Sequence, residues 1–227
     1  MKINPFPDRR HFRVAPAFTL VEMLVVITII TVMLTVGSLG LRNLSKASGV
    51  SAGLPVAEAV FAEARAIAIG KGTRARVLVH ATNDRNDELH RERFLRYLAV
   101  AYMELDDTGN ETGNWIIASR GSKLPENVYF SENLSENNAP NINTMTIELP
   151  GRSSTSCYYY EFNAEGLVTD PAVVNNDVPR FVVMAGGLPP GADEPVATGD
   201  GKKNMGGFVI WRSGRTSVFR HPDQIEQ

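Results

Sequence analysis

Acidic side chains form two clusters whose composition could suit acid–base chemistry or the binding of a cation. One cluster lies in residues 83–88 and the other in residues 106–111. Acid–base catalysis requires a positioned pair of groups, and spacing alone identifies no such pair in either cluster. Neither cluster has the ligand spacing of a calcium-binding loop. We interpret both as solvated turns, and a weak calcium site remains the alternative.

The histidines and the cysteine give no pattern of metal ligands. The chain has four histidines and one cysteine, and these residues are His11, His80, His90, His221 and Cys157. Cys157 is expected to be a small buried side chain, because free cysteine is among the most buried residue types. A phosphate-binding glycine loop, a nucleophile elbow and an HExxH motif are all missing from the sequence. The sequence therefore predicts no enzyme activity, no bound metal and no cofactor.

Basic side chains near the C-terminus could contact phosphate groups. Arg212, Arg215 and Arg220 are candidates for such contacts if alternating strand positions place them on one face. The formal net charge of the whole chain is -2, which implies no general attraction to nucleic acid. We favour a solvated sheet edge that its charges protect. Nucleic-acid binding by these three residues stays open as the alternative.

A single carboxylate lies within a long apolar run. Residues 18–41 read FTLVEMLVVITIITVMLTVGSLGL, and Glu22 is the one ionisable side chain among them. About 20 apolar residues are enough for a helix to cross a bilayer. A carboxylate inside such a helix costs about 2–3 kcal/mol in insertion measurements. Its position near the helix start reduces that cost, and a partner charge from another subunit would offset it.

The residues around this carboxylate resemble a processing site. Ala17-Phe18-Thr19-Leu20-Val21-Glu22, after a short basic leader, resembles the motif of type IV prepilins and type II secretion pseudopilins. The resemblance implies cleavage between Ala17 and Phe18 and N-methylation of Phe18. It also implies an assembly role for Glu22, which would pair with the new amine of a neighbouring subunit. The family usually has glycine where this chain has Ala17, so we expect slower cleavage.

The leader also allows a second interpretation. Arg9-Arg10-His11-Phe12-Arg13 resembles a twin-arginine export signal. Adjacent arginines are frequent in basic leaders, and an ordinary signal peptide has no need of Glu22 in its apolar run. We therefore favour the prepilin interpretation.

A long helix is the element that would position the N-terminal residues. Apolar residues at helical spacing continue the helix beyond the apolar run, and Gly70 to Gly72 supply a stop. A continuous helix from Phe18 to about Ile69 would measure roughly 78 Å. Residues that weaken a helix lie between its halves, namely Gly37, Gly40, Gly49, Gly53 and Pro55. They indicate either a break between two helices or a region that bends during assembly.

The remainder of the chain is predicted to be rich in strands. Alternating apolar residues predict strands at 74–80, 94–105, 115–119, 128–130, 144–149, 158–162, 181–185, 208–212 and 216–220. Ser213-Gly214 is a predicted hairpin turn between the last two.

Further resemblances suggest a particular fold. Ala64-Arg65, Ala68, Gly70 and 74–79 resemble the helix-to-strand junction of H-type minor pseudopilins. Residues 162–166 and 210–215 resemble later strand–turn pairs of that family. The resemblance implies an α+β fold, a pilin-like α/β-roll with a long N-terminal α-helix packed on an antiparallel β-sheet. The expected segments are a leader at 1–17, an apolar half-helix at 18–41, an amphipathic half-helix at 42–71 and a β-rich domain at 72–227.

The resemblance implies a structural role without catalysis. The expected function is a minor pilin or pseudopilin in a type IV pilus or type II secretion filament. Its expected partners are other pilin or pseudopilin subunits, the prepilin peptidase/methyltransferase, an inner-membrane assembly platform and membrane lipid. The expected location is the inner membrane, single-pass, with the leader cytoplasmic and the domain periplasmic, and the filament or cell surface after assembly. A DNA-binding minor pilin and a membrane-anchored adhesin or binding domain are the alternatives.

Overall fold

The structure divides the chain into two compact units. A computed structural model describes residues 19–84, 86–135, 142–169, 178–189, 192, 194–197 and 204–219. The boundary between the two units falls between Asn43 and Leu44. We call residues Leu44–Gln227 the globular unit.

Helix α1 spans Leu20–Lys71. The hydroxyl of Thr19 accepts a hydrogen bond from the backbone N–H of Glu22 at 3.2 Å, and this bond satisfies one of the free donors at the helix start. The helix continues through Pro55, so a break into two helices at this proline is not observed. Gly72 follows the helix in a left-handed conformation with φ of 63°, which confirms the predicted stop.

Two of the glycines in α1 serve close packing. A Cβ atom added to Gly49 would lie 3.0 Å from Cγ2 of Val128, and one added to Gly53 would lie 3.2 Å from Cγ1 of Val128. Both distances are shorter than ordinary van der Waals contact between carbon atoms. The two glycines therefore allow the helix backbone to approach Val128. This close approach explains why α1 contains glycines, although glycine weakens a helix.

Eleven strands of the described chain form two antiparallel sheets. The strands are β1 (Ala75–His80), β2 (Tyr97–Leu105), β3 (Glu111–Ile117), β4 (Ser122–Lys123), β5 (Val128–Phe130), β6 (Thr144–Leu149), β7 (Arg152–Phe162), β8 (Arg180–Gly187), β9 (Val196–Ala197), β10 (Met205–Ile210) and β11 (Thr216–Phe219). The first sheet has the order β3-β2-β1-β7-β6, and β4 pairs with β2. The second has the order β11-β10-β8-β5, and β9 pairs with β8. Two short helices, α2 (Glu88–Arg93) and α3 (Glu132–Ser135), lie in connections.

An aromatic cluster at the centre of the globular unit joins α1 to both sheets. The ring centroid of Phe61 on α1 lies 5.2 Å from that of Tyr160 on β7 and 5.0 Å from that of Phe208 on β10. Phe181 on β8 stacks on Phe208 at 5.2 Å. The residues of α1 that face this core are buried, and they are Val50, Leu54, Ala57, Val60, Phe61, Ala64 and Ala68.

The predicted α+β fold class, a pilin-like α/β-roll in which a long N-terminal helix packs on an antiparallel sheet, is wrong. The globular unit is predominantly β, with its strands in two separate sheets, and Phe61 contacts both. The sequence pattern located most strands but not their partners, because pairing joins segments far apart in the chain. β1, for example, pairs with β7, and Val77 lies opposite Tyr160.

Local patterns predicted individual strands more successfully than the sheet topology. The predicted strands at 128–130 and 144–149 match β5 and β6. The predicted strand at 94–105 begins too early, because Leu95 has a φ of 53° that does not fit a strand. The hairpin turn at Ser213-Gly214 is confirmed, since the Gly214 N–H donates to the Trp211 carbonyl at 2.7 Å.

Candidate assembly segment and candidate sites of the globular unit

The N-terminal part of α1 exposes apolar side chains continuously. We call Leu20–Leu34 the apolar segment, and every residue in it is exposed. Exposed fractions of its large apolar side chains run from 43% at Val26 to 90% at Leu20. Monomeric proteins rarely expose apolar patches larger than a few hundred Å², so such a surface is typical of an interaction site.

Two threonine hydroxyls of the apolar segment are hydrogen-bonded within the helix. The hydroxyls of Thr28 and Thr31 donate to the carbonyls of Leu24 and Ile27 at 2.8 and 2.7 Å. These bonds return the hydroxyls to the preceding turn and satisfy them within the helix. Glu22 is exposed in the first turn of α1.

The predicted single-pass inner-membrane anchor is overturned by the structure. None of the described helical stretches combines the length and the apolar character needed to span a bilayer. The prediction counted the whole run from 18 to 41.

The predicted processing residues, Ala17 and Phe18, lie outside the described residues, as does the leader at 1–17. Of the residues predicted to contact nucleic acid, Arg220 is also outside them. Arg212 and Arg215 are exposed and belong to the turn between β10 and β11. Nucleic-acid binding therefore stays the alternative to a solvated sheet edge.

Arg215 lines a groove of about 460 Å³ along α1. Across the groove, Glu58 on α1 accepts a hydrogen bond from the Thr216 hydroxyl at 3.0 Å. Arg65 donates from Nε to the Gly166 carbonyl at 3.2 Å. The groove thus carries both signs of charge, and part of that charge is already engaged in holding the turns against the helix.

The two short C-terminal motifs meet beside this groove. The Val168 N–H donates to the Arg212 carbonyl at 3.1 Å and joins the turn after β7 to the turn after β10. Gly166 and Gly214 both have positive φ, at 74° and 75°. The structure therefore places 162–166 and 210–215 side by side, which their separation in sequence did not reveal.

The first sheet carries an arginine site that the sequence analysis missed. The Arg76 guanidinium carbon lies 3.9 Å from the ring centroids of both Trp115 and Tyr159. Arg76 also donates from Nε to Glu161 at 2.7 Å, and the two charged side chains are each only 13% exposed. Cation–π contact and a charge-assisted hydrogen bond together fix this guanidinium in place. Recognising the site required the register of β1 with β7, in which Arg76 pairs with Glu161.

A second missed feature is a buried pair of histidines. Nε2 of His80 on β1 lies 2.9 Å from Nδ1 of His90 on α2. Their residues are 1% and 8% exposed. Burial, together with the charge of His90 and then Arg93, lowers the pKa of His80 to about 4. The spacing of the two histidines in the sequence gave no indication of this contact, because α2 brings them together only in the folded chain.

Cys157 is buried and unpaired, as the sequence predicted. Burial raises the pKa of its thiol to about 12, so the reactive thiolate is scarce near neutral pH. Cys157 lies opposite His80 in the register of β1 and β7. Within the described ranges, no group of three or more histidine, cysteine, aspartate or glutamate side chains is placed to hold a metal ion.

The two acidic clusters form the turns that we expected. The Asp106 carboxylate accepts hydrogen bonds from the Thr108 hydroxyl at 2.7 Å and from the Asn110 N–H at 2.8 Å. These bonds lower the pKa of Asp106, and the bond from the Thr108 hydroxyl has the largest effect. Asp87 caps α2 by accepting from the Leu89 N–H at 2.9 Å. Both carboxylates are thus engaged in local backbone structure.

Comparisons with known proteins find no relative of this chain. No protein-family model matches the chain, and neither a curated protein nor a solved structure matches it.

Proposed function

We propose that this chain is a prepilin-type structural subunit that assembles through its apolar segment, as a minor pilin or pseudopilin of a type IV pilus or type II secretion filament. The observation that carries the proposal is the continuous exposure of apolar side chains over Leu20–Leu34. Residues Ala17–Glu22 resemble a prepilin processing site, and this resemblance indicates which class of filament subunit the chain would be.

Burial of the apolar segment in an assembly provides the driving force. Twelve large apolar side chains of the segment are exposed. Fully burying one such side chain stabilises a complex by roughly 1.5–3 kcal/mol before the costs of association are subtracted. Equivalent helices of neighbouring subunits are suitable partners, because they offer the same apolar surface.

Glu22 sets a condition on that assembly. It is the single ionisable side chain of the segment, so association of the surrounding surface would bury it. A buried carboxylate without a partner is strongly unfavourable, and the free amine of a chain that begins at Phe18 would supply a positive charge. Pairing of this amine with Glu22 of the next subunit would fix the stagger between them.

The mature N-terminus is the decisive test of the processing step. Mass spectrometry of the full chain from the cells that produce it should find a first residue Phe18 that carries an N-methyl group. Ala17→Gly should raise the processed fraction, because glycine is the residue that the family usually has there. A chain that keeps residues 1–17, or that is cut elsewhere, would contradict the proposal.

A further inference from the structure

The proposed function leaves the buried histidine pair unused. His80 and His90 face each other through one ring nitrogen each, at 2.9 Å. One of these nitrogens must donate and the other must accept, so at least one of them must be free of a proton. Two protonated rings would place N–H against N–H and would lose the contact. The geometry of the pair therefore depends on its protonation.

The surroundings of the pair offer little compensation for an added positive charge. The charged and titratable groups that the structure places around it are Arg93 on α2, Asp87 at the start of α2, Cys157 on β7 and Tyr97 on β2. The Asp87 carboxylate already accepts hydrogen bonds from the backbone N–H groups of Leu89 and His90. The Arg93 guanidinium lies 4.5 Å from the Tyr97 ring centroid and contributes a positive charge beside the pair. Nδ1 of His80 is buried and has no hydrogen-bond partner among the described residues. A proton there would place a second N–H in a site without an acceptor.

The pair ties a short helix to the first sheet. α2 has six residues and lies in the connection between β1 and β2. A helix of this length is not stable by itself, so its position depends on its tertiary contacts. Those contacts include the His80–His90 bond and a hydrogen bond from Arg93 to the Pro150 carbonyl at 2.9 Å. Loss of the histidine contact would thus remove one of the contacts that hold α2 in place.

We propose that His80 and His90 form a proton-sensitive latch that holds α2 on the first sheet and keeps Cys157 covered at neutral pH. In acid the latch opens, and α2 separates while both sheets remain folded. Cys157 lies opposite His80 across β1 and β7 and is fully buried in the closed form, so its thiol reports the opening.

The reactivity of this single cysteine tests the latch in the full chain. The rate of modification by 4,4′-dithiodipyridine is measured from about pH 7.5 to about pH 4.5 and divided by the rate for glutathione, which corrects for thiolate content. The relative rate should rise on the order of tenfold to a hundredfold as the pH falls, because the open form binds protons that the closed form rejects. His80→Gln leaves His90 a neutral hydrogen-bonding partner and removes the buried ring that rejects a proton, so this variant should give a nearly constant ratio. A relative rate that does not rise in the unchanged chain overturns the proposal.

Hydrogen exchange of the unchanged chain separates local opening from unfolding without any variant. The N–H groups of Phe94 and Leu95, which donate to His90 and His80 carbonyls, should lose protection in acid. The N–H groups of the β1–β7 ladder should keep theirs. Simultaneous loss of protection in both places would show global unfolding and would also overturn the latch.

Discussion

At the scale of single residues, burial decides how His80 behaves. Burial and the neighbouring positive groups lower its pKa from 6.5 to about 4 in the folded chain. The unfolded chain binds a proton at about pH 6.5, so between these two values the unfolded state binds more protons than the folded state. The stability that neutral His80 contributes is complete above about pH 6.5 and is lost as the pH falls toward about 4.

Replacing His80 with glutamine should remove this acid sensitivity. Between about pH 7 and about pH 5, the free energy of unfolding of the unchanged chain should fall by on the order of 1–2 kcal/mol more than that of His80→Gln. Urea unfolding at the two pH values measures the difference. Equal pH dependence in both chains would show that the pKa of His80 is the same in the folded and the unfolded chain.

Arg76 provides a second prediction at this scale. Arg76→Lys should lower the free energy of unfolding by about 1–3 kcal/mol, because lysine cannot both stack on the Trp115 and Tyr159 rings and hold Glu161 in the same geometry. Arg212→Lys is the matched control, since Arg212 is exposed in the turn between β10 and β11. This exposed substitution should change stability by less than about 1 kcal/mol. Equal losses in urea unfolding would contradict a special role for the buried guanidinium.

At the scale of elements, α1 combines two surfaces of different purpose. In the globular unit, Phe61 on the buried side of α1 packs in the aromatic core. Gly49 and Gly53 of α1 allow its backbone to lie close to Val128. In the apolar segment, by contrast, all side chains are exposed. The sequence predicted the helix and its end at Gly72 because periodicity and glycine stops are local signals. The packing role of Gly49 and Gly53 could not be predicted, because Val128 is distant in the chain.

A charge in the apolar segment should prevent assembly. When two differently tagged full chains are produced together, Val25→Glu should reduce their co-purification at least about tenfold, because each contact would bury an unpaired carboxylate. Val196→Glu is the matched control, since Val25 and Val196 are 49% and 52% exposed. This control should leave co-purification unchanged. Equal behaviour of the two variants would show that Leu20–Leu34 is not the assembly surface.

At the scale of the whole molecule, long-range pairing determines what the sequence could predict. The hairpin of β10 and β11 was predictable because its turn is local, at Ser213-Gly214. The division into two sheets was not, nor were the contacts of Arg76 with Glu161 or of His80 with His90. Each of those contacts requires a register or a folded connection that no short stretch of sequence encodes. The processing motif was found because its residues are contiguous.

The contact of Phe61 with Tyr160 of one sheet and Phe208 of the other has a consequence for how the globular unit unfolds. The larger hydrophobic core is shared by both sheets and by α1, so both sheets should melt in one cooperative event. The chain's two tryptophans report on this separately, because Trp115 lies on β3 of the first sheet and Trp211 directly follows β10 of the second. Trp115→Phe and Trp211→Phe each leave a single tryptophan, and within each variant the tryptophan fluorescence and the far-UV circular dichroism should give coincident urea midpoints. Separated midpoints would mean that one sheet survives without the other.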